Sequence, residues 1–454
     1  MSNPGEADAT PIASTAQLAA HIAAGCKPPA AFLIGTEHEK FGFRFADLAP
    51  PPYAPDGIRA VLEGLAAATA GAPILDQGQP IGLNLRQGQI SLEPGGQLEL
   101  SGAPLASLHE TARELAQHLA VVRTIAGPLG LGFAPLGFHP LASRAAMPWM
   151  PKTRYAIMRR YMPKVGGHGL DMMLRTSTVQ VNLDYASEAD MVRKLRVGLC
   201  LQPLATALFA NSPFYEGKPN GFLSFRAEIW RDTDPDRTGI PAAFFEPGFG
   251  FERYVEWLLD VPMYFIQRRG TYLDLAGRSF RDFMAGRLPE AKGETATIGD
   301  FADHMTTVFT DVRLKRFLEM RGADAGSPAM MLAQSALWTG LFYDPAALAA
   351  AAGLVAGHPW REFAALRDEV PRRGLATPWQ KGALRDLARE VLAIAADGLA
   401  ARNRRNASGE DERVYLAPLE AIAAGAPSQA EHWLERFRGP WKGEARPIFA
   451  EAKV

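Results

Sequence analysis

Residues 90–104 read ISLEPGGQLELSGAP and place Glu93 and Glu99 on either side of a Pro-Gly-Gly sequence. Adjacent proline and glycine residues are typical of tight turns between strands. If residues 94–96 close a three-residue loop, Glu93, Gln97 and Glu99 share one face of the hairpin, because strand side chains alternate between faces. The stretch therefore predicts an antiparallel hairpin that carries two carboxylates on the same face.

A second acidic strand is expected earlier in the chain. Residues 34–43 read IGTEHEKFGF, with Glu37 and Glu39 two positions apart. In a strand these two side chains point the same way, with their Cα atoms roughly 7 Å apart, and we interpret His38 on the opposite face as structural. Together with the hairpin pair they make four mutually repelling carboxylates. A hard divalent cation relieves such repulsion, so we expect a site for Mg²⁺, with Mn²⁺ as its alternative.

Length and charge limit the class of protein. The chain has 454 residues and a formal net charge of −1, which allows one large core or a few smaller ones. A near-neutral balance gives no indication of a nucleic-acid or anionic-membrane partner. No apolar run reaches about eighteen residues, so no membrane span is expected.

Cysteine usage and the N-terminus bear on the compartment. The two cysteines are far apart in sequence and form neither a disulfide framework nor a zinc pattern. The first residues lack a basic region followed by an apolar run, so a signal peptide is not expected. We therefore predict a reducing, cytoplasmic location.

The order of elements predicts an α+β fold. Short strands with tight turns follow one another before and within the hairpin region, which favours antiparallel pairing. From about residue 327 the chain is rich in alanine and helical in pattern. We expect a mobile segment over residues 1–14, an α+β core over residues 15–330 and a helical region over residues 331–454 packed on that core, in one compact chain.

Two polar stretches lie between the hairpin and the helical region. Residues 144–169 are irregular and basic, and include Arg154 and Lys164. This run is either a solvated face or a mobile glycine-rich loop over phosphates. Residues 178–185, TVQVNLDY, alternate so that Gln180 and Asn182 share a face. That face is either the wet side of a strand or the floor of a polar site.

Arginines and aromatic residues alternate from about residue 220 onward. Arg226 and Trp230 lie in this region, and such a mixture is either ordinary packing with surface charge or a pocket for a small zwitterion. A later strand candidate places Glu319 and Arg321 on one face. These two form either a surface ion pair or a further ligand and charge stabiliser near a phosphate–metal site.

Taken together, these stretches resemble the glutamate–cysteine ligases of plants and proteobacteria, within the glutamine synthetase-like carboxylate–amine ligases. The resemblance covers nearly the whole chain, and its specificity lies in the joint order and spacing of the motifs. The densest matches are IGTEHEKFGF (34–43), ISLEPGGQLELSGAP (90–104), MPKVGGHGLDMMLRTSTVQVNLDY (162–185), LFANSPFYEGKPNGFLSFR (208–226), DVPMYF (260–265) and VRLKRFLEMRGAD (312–324).

The resemblance implies a curved antiparallel sheet with helices outside and an active site in its concave face. It also implies ATP-dependent ligation. The γ-carboxylate of L-glutamate forms γ-glutamyl phosphate, and the amine of L-cysteine displaces phosphate to give γ-glutamylcysteine and ADP, the first step towards glutathione. Small-molecule substrates are then the expected partners, with the chain a monomer or a homodimer.

Specific roles follow from the resemblance alone. The implied metal ligands are Glu37, Glu39, Glu93, Glu99 and Glu319. The implied catalytic and substrate-binding residues are Arg321 for the transferring phosphoryl group, Arg226 for the glutamate α-carboxylate with Trp230 beside it, Tyr264 for cysteine, and Arg154 for substrate or phosphate. The implied nucleotide-binding residues are Gln180, Asn182 and Lys164. Independently of the resemblance, the glycine-rich residues 164–169 are the candidate lid. Gln180 stands where related ligases place a metal-contacting histidine, so it reaches either a metal through water or the nucleotide.

Three other functions compete with this interpretation. A ligase of the same fold could use another amine, since amine choice depends on few pocket contacts. A metal-dependent hydrolase would turn over without ATP and would leave Arg226 and Arg321 without a role. A non-catalytic binding protein would be expected to have lost some of the five glutamates.

Overall fold

The computed structural model describes residues 8–454, and residues 1–7 lie outside it. Its helices are α1 (Thr15–Ala23), α2 (Ile58–Thr69), α3 (Leu108–Ala126), α4 (Thr153–Tyr161), α5 (Gly169–Arg175), α6 (Glu188–Leu208), α7 (Phe225–Arg231), α8 (Phe251–Asp260), α9 (Phe280–Met284), α10 (Ile298–Thr306), α11 (Pro328–Phe342), α12 (Pro345–Ala356), α13 (Trp360–Arg373), α14 (Leu384–Arg402), α15 (Ala417–Ala424), α16 (Gln429–Arg438) and α17 (Ile448–Ala452). Its strands are β1 (Ile34–Arg44), β2 (Ala72–Asp76), β3 (Gln79–Asn84), β4 (Gln89–Leu92), β5 (Leu98–Ser101), β6 (Leu131–Ala134), β7 (Thr178–Leu183), β8 (Phe214–Tyr215), β9 (Lys218–Pro219), β10 (Thr238–Gly239), β11 (Phe265–Arg268), β12 (Thr271–Asp274), β13 (Phe309–Thr310), β14 (Val312–Leu314), β15 (Leu318–Asp324), β16 (Pro378–Trp379) and β17 (Gly382–Ala383).

One large sheet organises the described residues. Its nine strands run in the order β14-β15-β7-β1-β5-β4-β3-β2, with β6 paired to the far end of β1. All of these pairings are antiparallel. The predicted α+β class with an antiparallel sheet is therefore confirmed.

The two faces of the sheet differ in chemistry because side chains alternate along each strand. On β7, Val179, Val181 and Leu183 are buried on one face, while Gln180 and Asn182 occupy the other. On the apolar side, α6 packs against β14 and β15, and α11 packs against β7 and β1. The apolar face of the sheet therefore forms the core together with these long helices, and the polar face of the sheet remains available for a site.

The acidic hairpin has the predicted three-residue loop. The Glu93 amide donates to the Gln97 carbonyl at 2.9 Å, and the Gly96 amide donates to the Glu93 carbonyl at 2.9 Å. Gly96 has a φ of +86°, a left-handed conformation that glycine adopts without steric cost and that such loops require. Gly95 allows a close approach to α5, since a Cβ there would lie 2.2 Å from the Leu174 carbonyl oxygen.

The C-terminal helices share a core with the rest of the chain. One continuous apolar cluster includes Leu18, Val181, Met331 and Leu392, and the expected boundary between residues 330 and 331 falls inside α11. The division into a core and a C-terminal region stays a prediction.

Only part of the expected mobile segment lies within the described residues. There, Ile12 donates its amide to the Ala296 carbonyl, and Ile298 donates its amide to the Thr10 carbonyl, both at 2.9 Å. Among the described residues no single helix is long and apolar enough to cross a membrane, although α11 and α12, bent by 92°, reach that length and composition as a pair.

Candidate active site

Strand register brings the predicted polar residues onto one face of the sheet. Glu39 on β1 lies opposite Glu99 on β5, and Glu37 lies opposite Gln180 on β7. On the far side of β7, Asn182 lies opposite Glu319 on β15. Residues that are distant in sequence thus become neighbours across β15, β7, β1 and β5, because directly opposed side chains in an antiparallel pair share a face.

The carboxylates on this face are buried and crowded. Glu39, Glu93 and Glu99 are all less than one-tenth exposed. Glu39 accepts a hydrogen bond from the Thr178 amide at 3.0 Å, and Glu99 accepts one from the Ser91 hydroxyl at 2.5 Å. Burial, reinforced by repulsion from Glu93 and Glu99, raises the pKa of Glu39 well above its usual value.

Glu37 shows the same electrostatic effect at the centre of the sheet. Burial, together with repulsion from Glu319 and Glu99, raises its pKa. Its two oxygens accept hydrogen bonds from amide groups, one from Asn182 at 2.7 Å and one from Gln180 at 3.4 Å. An additional positive charge would therefore stabilise the ionised forms of Glu37 and Glu39.

Glu319 lies in a different environment. The Arg313 Nη2 donates to it at 2.8 Å, the Lys315 Nζ lies 3.1 Å from it, and Arg321 forms a third ion pair. Although burial opposes ionisation, these three cations hold the pKa of Glu319 well below its usual value. The negative charge of Glu319 is thus already compensated by three cationic side chains of the protein.

A cavity of about 370 Å³, partly open to solvent, lies between the polar face and the helices α5 and α7. Six predicted site residues contribute to its wall, namely Glu39, Glu93, Gln180, Arg226, Trp230 and Arg321. Gln97, Thr176, Thr178 and the α5 residues Met172 and Met173 complete its lining. This acidic cavity, defined by these residues, brings carboxylates and guanidinium groups together in its wall.

The two predicted arginines are held in fixed relation at this cavity. Arg226 is 3% exposed, and its Nη2 donates to the Arg321 carbonyl at 2.9 Å. Within residues 8–454 the Arg226 Nε and the Trp230 Nε1 are buried without a hydrogen-bond partner. Buried donors of this kind are costly unless a ligand or water satisfies them, so both groups are suited to binding an anion.

Gln180 forms hydrogen bonds both with Glu37, a predicted metal ligand, and with Arg321. Its side-chain oxygen accepts a hydrogen bond from Arg321, and its amide nitrogen donates to Glu37 at 3.4 Å. Arg321 is therefore oriented by Gln180 and Glu319 together, since both accept a hydrogen bond from its Nη1.

A second cavity of about 480 Å³, also partly open, lies next to the acidic cavity. It shares Arg226, Trp230 and Arg321 with the acidic cavity, and its far side includes Phe309 and an ion pair in which the Arg367 Nε lies 2.9 Å from Asp311.

Seven predicted residues line neither cavity. Four of them, Glu37, Glu99, Asn182 and Glu319, belong to the polar face of the sheet, and the other three lie off that sheet. Tyr264 is fully buried, and its hydroxyl donates to Asp234 at 3.3 Å. Arg154 is buried with its guanidinium 4.9 Å from the centre of the Phe265 ring. Lys164 is exposed at the end of a short turn after α4.

Three cations near the site were missed at the sequence level. Lys152 is 4% exposed, and burial lowers its pKa to about 8 against the attraction of Glu93. Arg313 lies directly opposite Glu319 across the β14–β15 hairpin, and Lys315 follows two positions later. The alternation of Arg313 and Lys315 before Glu319 was a usable signal, whereas Lys152 lies in the basic run that was interpreted as a solvated face or a phosphate loop.

The carboxylates of the polar face suit a metal ion by their chemistry, although their side chains do not converge on one point. Among residues 8–454 no three His, Cys, Asp or Glu side chains converge closely enough, as they stand, to hold an ion. Yet buried carboxylates with raised pKa values are the hard oxygen donors that Mg²⁺ prefers. By its chemistry the donor set therefore fits a divalent cation.

The sequence matches a known family over most of its length. The model of the Glutamate-cysteine ligase family 2 (GCS2) matches residues 33–451. The chain belongs to this family. The predicted family and the predicted enzyme class, a glutamate–cysteine ligase, are thereby confirmed.

Relatives in this family support the same assignment. The chloroplastic glutamate–cysteine ligase of Arabidopsis thaliana is 50% identical over 434 residues, which are 96% of this chain and 82% of the relative. The chloroplastic glutamate–cysteine ligase B of Oryza sativa subsp. japonica is 49% identical over 96% of this chain and 86% of its own length.

Among solved structures, glutamate–cysteine ligase from Francisella tularensis in complex with AMP aligns with a TM-score of 0.57 and 12% identity, over 93% of this chain and 87% of that one. At this level of identity the likeness shows the fold alone. It agrees with the predicted fold class of this family member.

The relatives overturn the predicted compartment. Their names call them chloroplastic, so the prediction of a cytoplasmic location is wrong on this comparison and is withdrawn. The prediction rested on few cysteines and on the first residues of the chain. Unpaired thiols are compatible with any reducing compartment, so that pattern could not single out the cytoplasm.

Proposed function

We propose that this chain joins the γ-carboxylate of L-glutamate to the amine of L-cysteine, through γ-glutamyl phosphate made from ATP, and releases γ-glutamylcysteine, ADP and phosphate. One observation carries the proposal: Glu39, Glu93, Arg226 and Arg321 all face the acidic cavity. A carboxylate that attacks a triphosphate is an anion meeting an anion, so catalysis depends on positioning and charge neutralisation.

The carboxylates of the polar face are the proposed metal ligands. Glu37, Glu39, Glu93 and Glu99 would hold Mg²⁺, which when bound neutralises charge on the phosphate oxygens. Glu319 is proposed as a fifth ligand that joins by exchanging one of its three cationic partners. Mn²⁺ has similar ligand preferences and is the expected substitute.

Arg226 is the proposed clamp for the α-carboxylate of glutamate. Arg226 and Trp230 both line the acidic cavity, and the Arg226 Nε and the Trp230 Nε1 are buried without a hydrogen-bond partner within residues 8–454, so a carboxylate bound between them is proposed to accept from both. Charge-assisted hydrogen bonds from a guanidinium are strong and directional. Trp230 would at the same time exclude water from the bound glutamate.

Arg321 is the proposed stabiliser of the transferring phosphoryl group. Gln180 and Glu319 hold its guanidinium at the edge of the acidic cavity, so little reorganisation is needed when negative charge develops. Gln180 and Asn182 both donate to Glu37, and their proposed contact with the nucleotide is thus adjacent to the proposed metal ligands.

Three residues are proposed to act from outside both the acidic cavity and the polar face of the sheet. Tyr264 would contact cysteine, and Arg154 would contact substrate or phosphate from the same side. Lys164 is exposed, so its proposed contact with phosphate requires residues 164–169 to move inward as a lid. In the structure Gly167 of this segment donates its amide to Asp232 at 3.1 Å, and closure would break that bond.

A release assay tests the function directly. ADP formation is measured with glutamate, MgCl₂ and a panel of amines that includes cysteine, other amino acids and simple alkylamines. We expect cysteine to give the highest kcat/KM and EDTA to abolish turnover. Another amine that ranks well above cysteine would overturn the substrate assignment. Turnover of an amide or ester substrate in a separate assay without ATP would point to a metal-dependent hydrolase.

A further inference from the structure

A buried carboxylate close to Arg226 has no role in the proposed reaction. Asp324 is the last residue of β15 and is 1% exposed. It accepts hydrogen bonds from the Asn211 amide at 2.8 Å, the Ser212 hydroxyl at 2.6 Å and the Ser224 hydroxyl at 2.8 Å. All three donors are neutral, so none of them compensates the charge of the buried carboxylate.

Two of these donors connect Asp324 to the start of α7. The Ser224 hydroxyl caps α7 by accepting from the Ala227 amide at 3.2 Å. The Ser212 hydroxyl accepts from the amide of Arg226 itself at 3.1 Å. Asp324 thus fixes the two hydroxyl groups that hold the backbone at Arg226.

Charge links the two residues as well. Burial lowers the pKa of Arg226, and Asp324 is the strongest group acting against that effect. In turn, burial raises the pKa of Asp324, and Arg226 is the strongest group acting against it. Each residue therefore helps to keep the other ionised in a poorly solvated region.

The Asp324 carboxylate packs closely against the backbone of Gly137. A Cβ at Gly137 would lie 2.3 Å from the Asp324 carboxyl carbon, so the carboxylate fills the space above that glycine. A longer acid at position 324 would have no room on this side. The location of the negative charge is accordingly set by β15 and the Gly137 backbone, independently of any substrate.

We propose that Asp324 is a positioning residue that fixes the orientation and the charge of Arg226 for binding the α-carboxylate of glutamate, without touching substrate itself. This inference rests on the proposed function of Arg226. Its consequence is specific: loss of the Asp324 charge weakens glutamate binding, while ATP binding and the chemical step at saturating glutamate change little.

Steady-state kinetics of Asp324→Asn provide the test. The KM for glutamate is expected to rise about tenfold, a usual size for the coupling of neighbouring groups, with kcat and the KM for ATP within about twofold of wild type. Asp300→Asn is the matched control, because Asp300 is also a buried aspartate but pairs with Arg268, away from the acidic cavity. An unchanged glutamate KM in Asp324→Asn would overturn the inference.

A double-mutant cycle separates this inference from the proposed function. Arg226→Gln should raise the glutamate KM by itself, and adding Asp324→Asn to it should raise the KM no further. Additive effects would overturn the positioning role. If Arg226→Gln left the glutamate KM unchanged, the assignment of Arg226 would fail instead, and the inference would fall with it.

A milder variant covers the case in which Asp324→Asn does not fold. Ser212→Ala removes only the bridge between Asp324 and the Arg226 amide, whereas Ser212→Thr keeps the hydroxyl. We expect a raised glutamate KM and a smaller thermal shift on addition of glutamate for Ser212→Ala, and near wild-type values for Ser212→Thr. Equal behaviour of the two variants would contradict the inference.

Discussion

Glu39 and Glu99 lie directly opposite each other on adjacent antiparallel strands, and both side chains are buried. Like charges in this arrangement destabilise a sheet, and burial removes the water that would otherwise screen them. The folded chain thus contains a repulsion that a bound cation would relieve. Stability and the proposed function are in conflict at this pair.

Glu39→Gln is therefore expected to stabilise the metal-free protein by about 1 kcal/mol, the upper size of such cross-strand effects. The pKa of Glu39 in the folded state is raised above the ordinary value of 4.5. The folded chain thus binds the extra proton, and stability is lost as pH rises through the raised pKa. The gain in Glu39→Gln should then be largest at alkaline pH and shrink towards pH 4.5, as measured by urea unfolding with EDTA.

The same variant should lose catalysis and the response to metal. Saturating MgCl₂ is expected to raise the urea midpoint of wild type but to have a smaller effect on Glu39→Gln, and ADP release should fall by orders of magnitude. Glu252→Gln on the exposed side of α8 is the control and should behave as wild type. A metal-free Glu39→Gln protein less stable than wild type at alkaline pH would refute the repulsion argument.

The close approach of the hairpin loop to α5 gives a second prediction. A Cβ at Gly95 would lie 2.2 Å from the backbone oxygen of Leu174, so Gly95→Ala must displace one of the two segments. We expect a loss of about 1–3 kcal/mol in the free energy of unfolding, as for other overpacked sites. Urea unfolding followed by circular dichroism measures it.

Gly353→Ala is the matched control for this steric argument. Gly353 is exposed within α12 and has no atom within 4 Å of an added Cβ. Alanine is there expected to stabilise by about 0.5–1 kcal/mol, because it is the better helix former. Equal destabilisation by both substitutions would argue against a specific contact between Gly95 and Leu174.

How far the sequence predicts the site differs from residue to residue. Alternation within one strand was enough to place Glu37 with Glu39, and Gln180 with Asn182, since that pattern is local. That local pattern could not predict that Glu39 and Glu99 lie directly opposite each other. Their register is set by pairing between strands that are about sixty residues apart in sequence.

Residues whose roles came only from the family resemblance show the other limit. Tyr264 and Lys164 belong to conspicuous motifs, yet the structure places both outside the cavities. The burial of a side chain depends on packing between distant segments, which a local pattern does not report. Lys152 illustrates the converse, since a lysine in a basic run is usually solvated and here is buried near Glu93.

Buried neutral histidines predict how stability depends on pH. Burial, with Arg175 nearby, lowers the pKa of His139 to about 3, and its Nδ1 accepts the Ala142 amide at 3.0 Å. The unfolded chain titrates near 6.5 and binds the extra proton below that value, so stability is lost as pH falls from 6.5 towards 3. His139 alone should cost about 1.4 kcal/mol on going from pH 7.5 to 5.5.

His139→Asn should remove this contribution, because the asparagine oxygen can replace Nδ1 as the acceptor and does not titrate. The variant loses ring contacts and is expected to be less stable than wild type at pH 7.5, but its further loss at pH 5.5 should be smaller by about 1.4 kcal/mol. His432→Asn on the exposed side of α16 should keep the wild-type difference. A parallel pH dependence in His139→Asn and wild type would exclude His139 as a contributor.

The proposed contact of Tyr264 with cysteine gives the last prediction. Tyr264→Phe keeps the ring, which lies 4.0 Å from the Arg237 guanidinium, and removes only the hydroxyl that donates to Asp234. If that hydroxyl also binds cysteine, the KM for cysteine should rise about tenfold, the value of one well-formed hydrogen bond, with the KM values for glutamate and ATP unchanged. Tyr254→Phe is the control, since Tyr254 is as fully buried as Tyr264 and its hydroxyl donates to the Leu314 carbonyl of β14 at 2.8 Å. This variant should alter stability but not the cysteine KM. A cysteine KM that is the same in both variants would assign Tyr264 to packing against the Asp234–Arg237 pair.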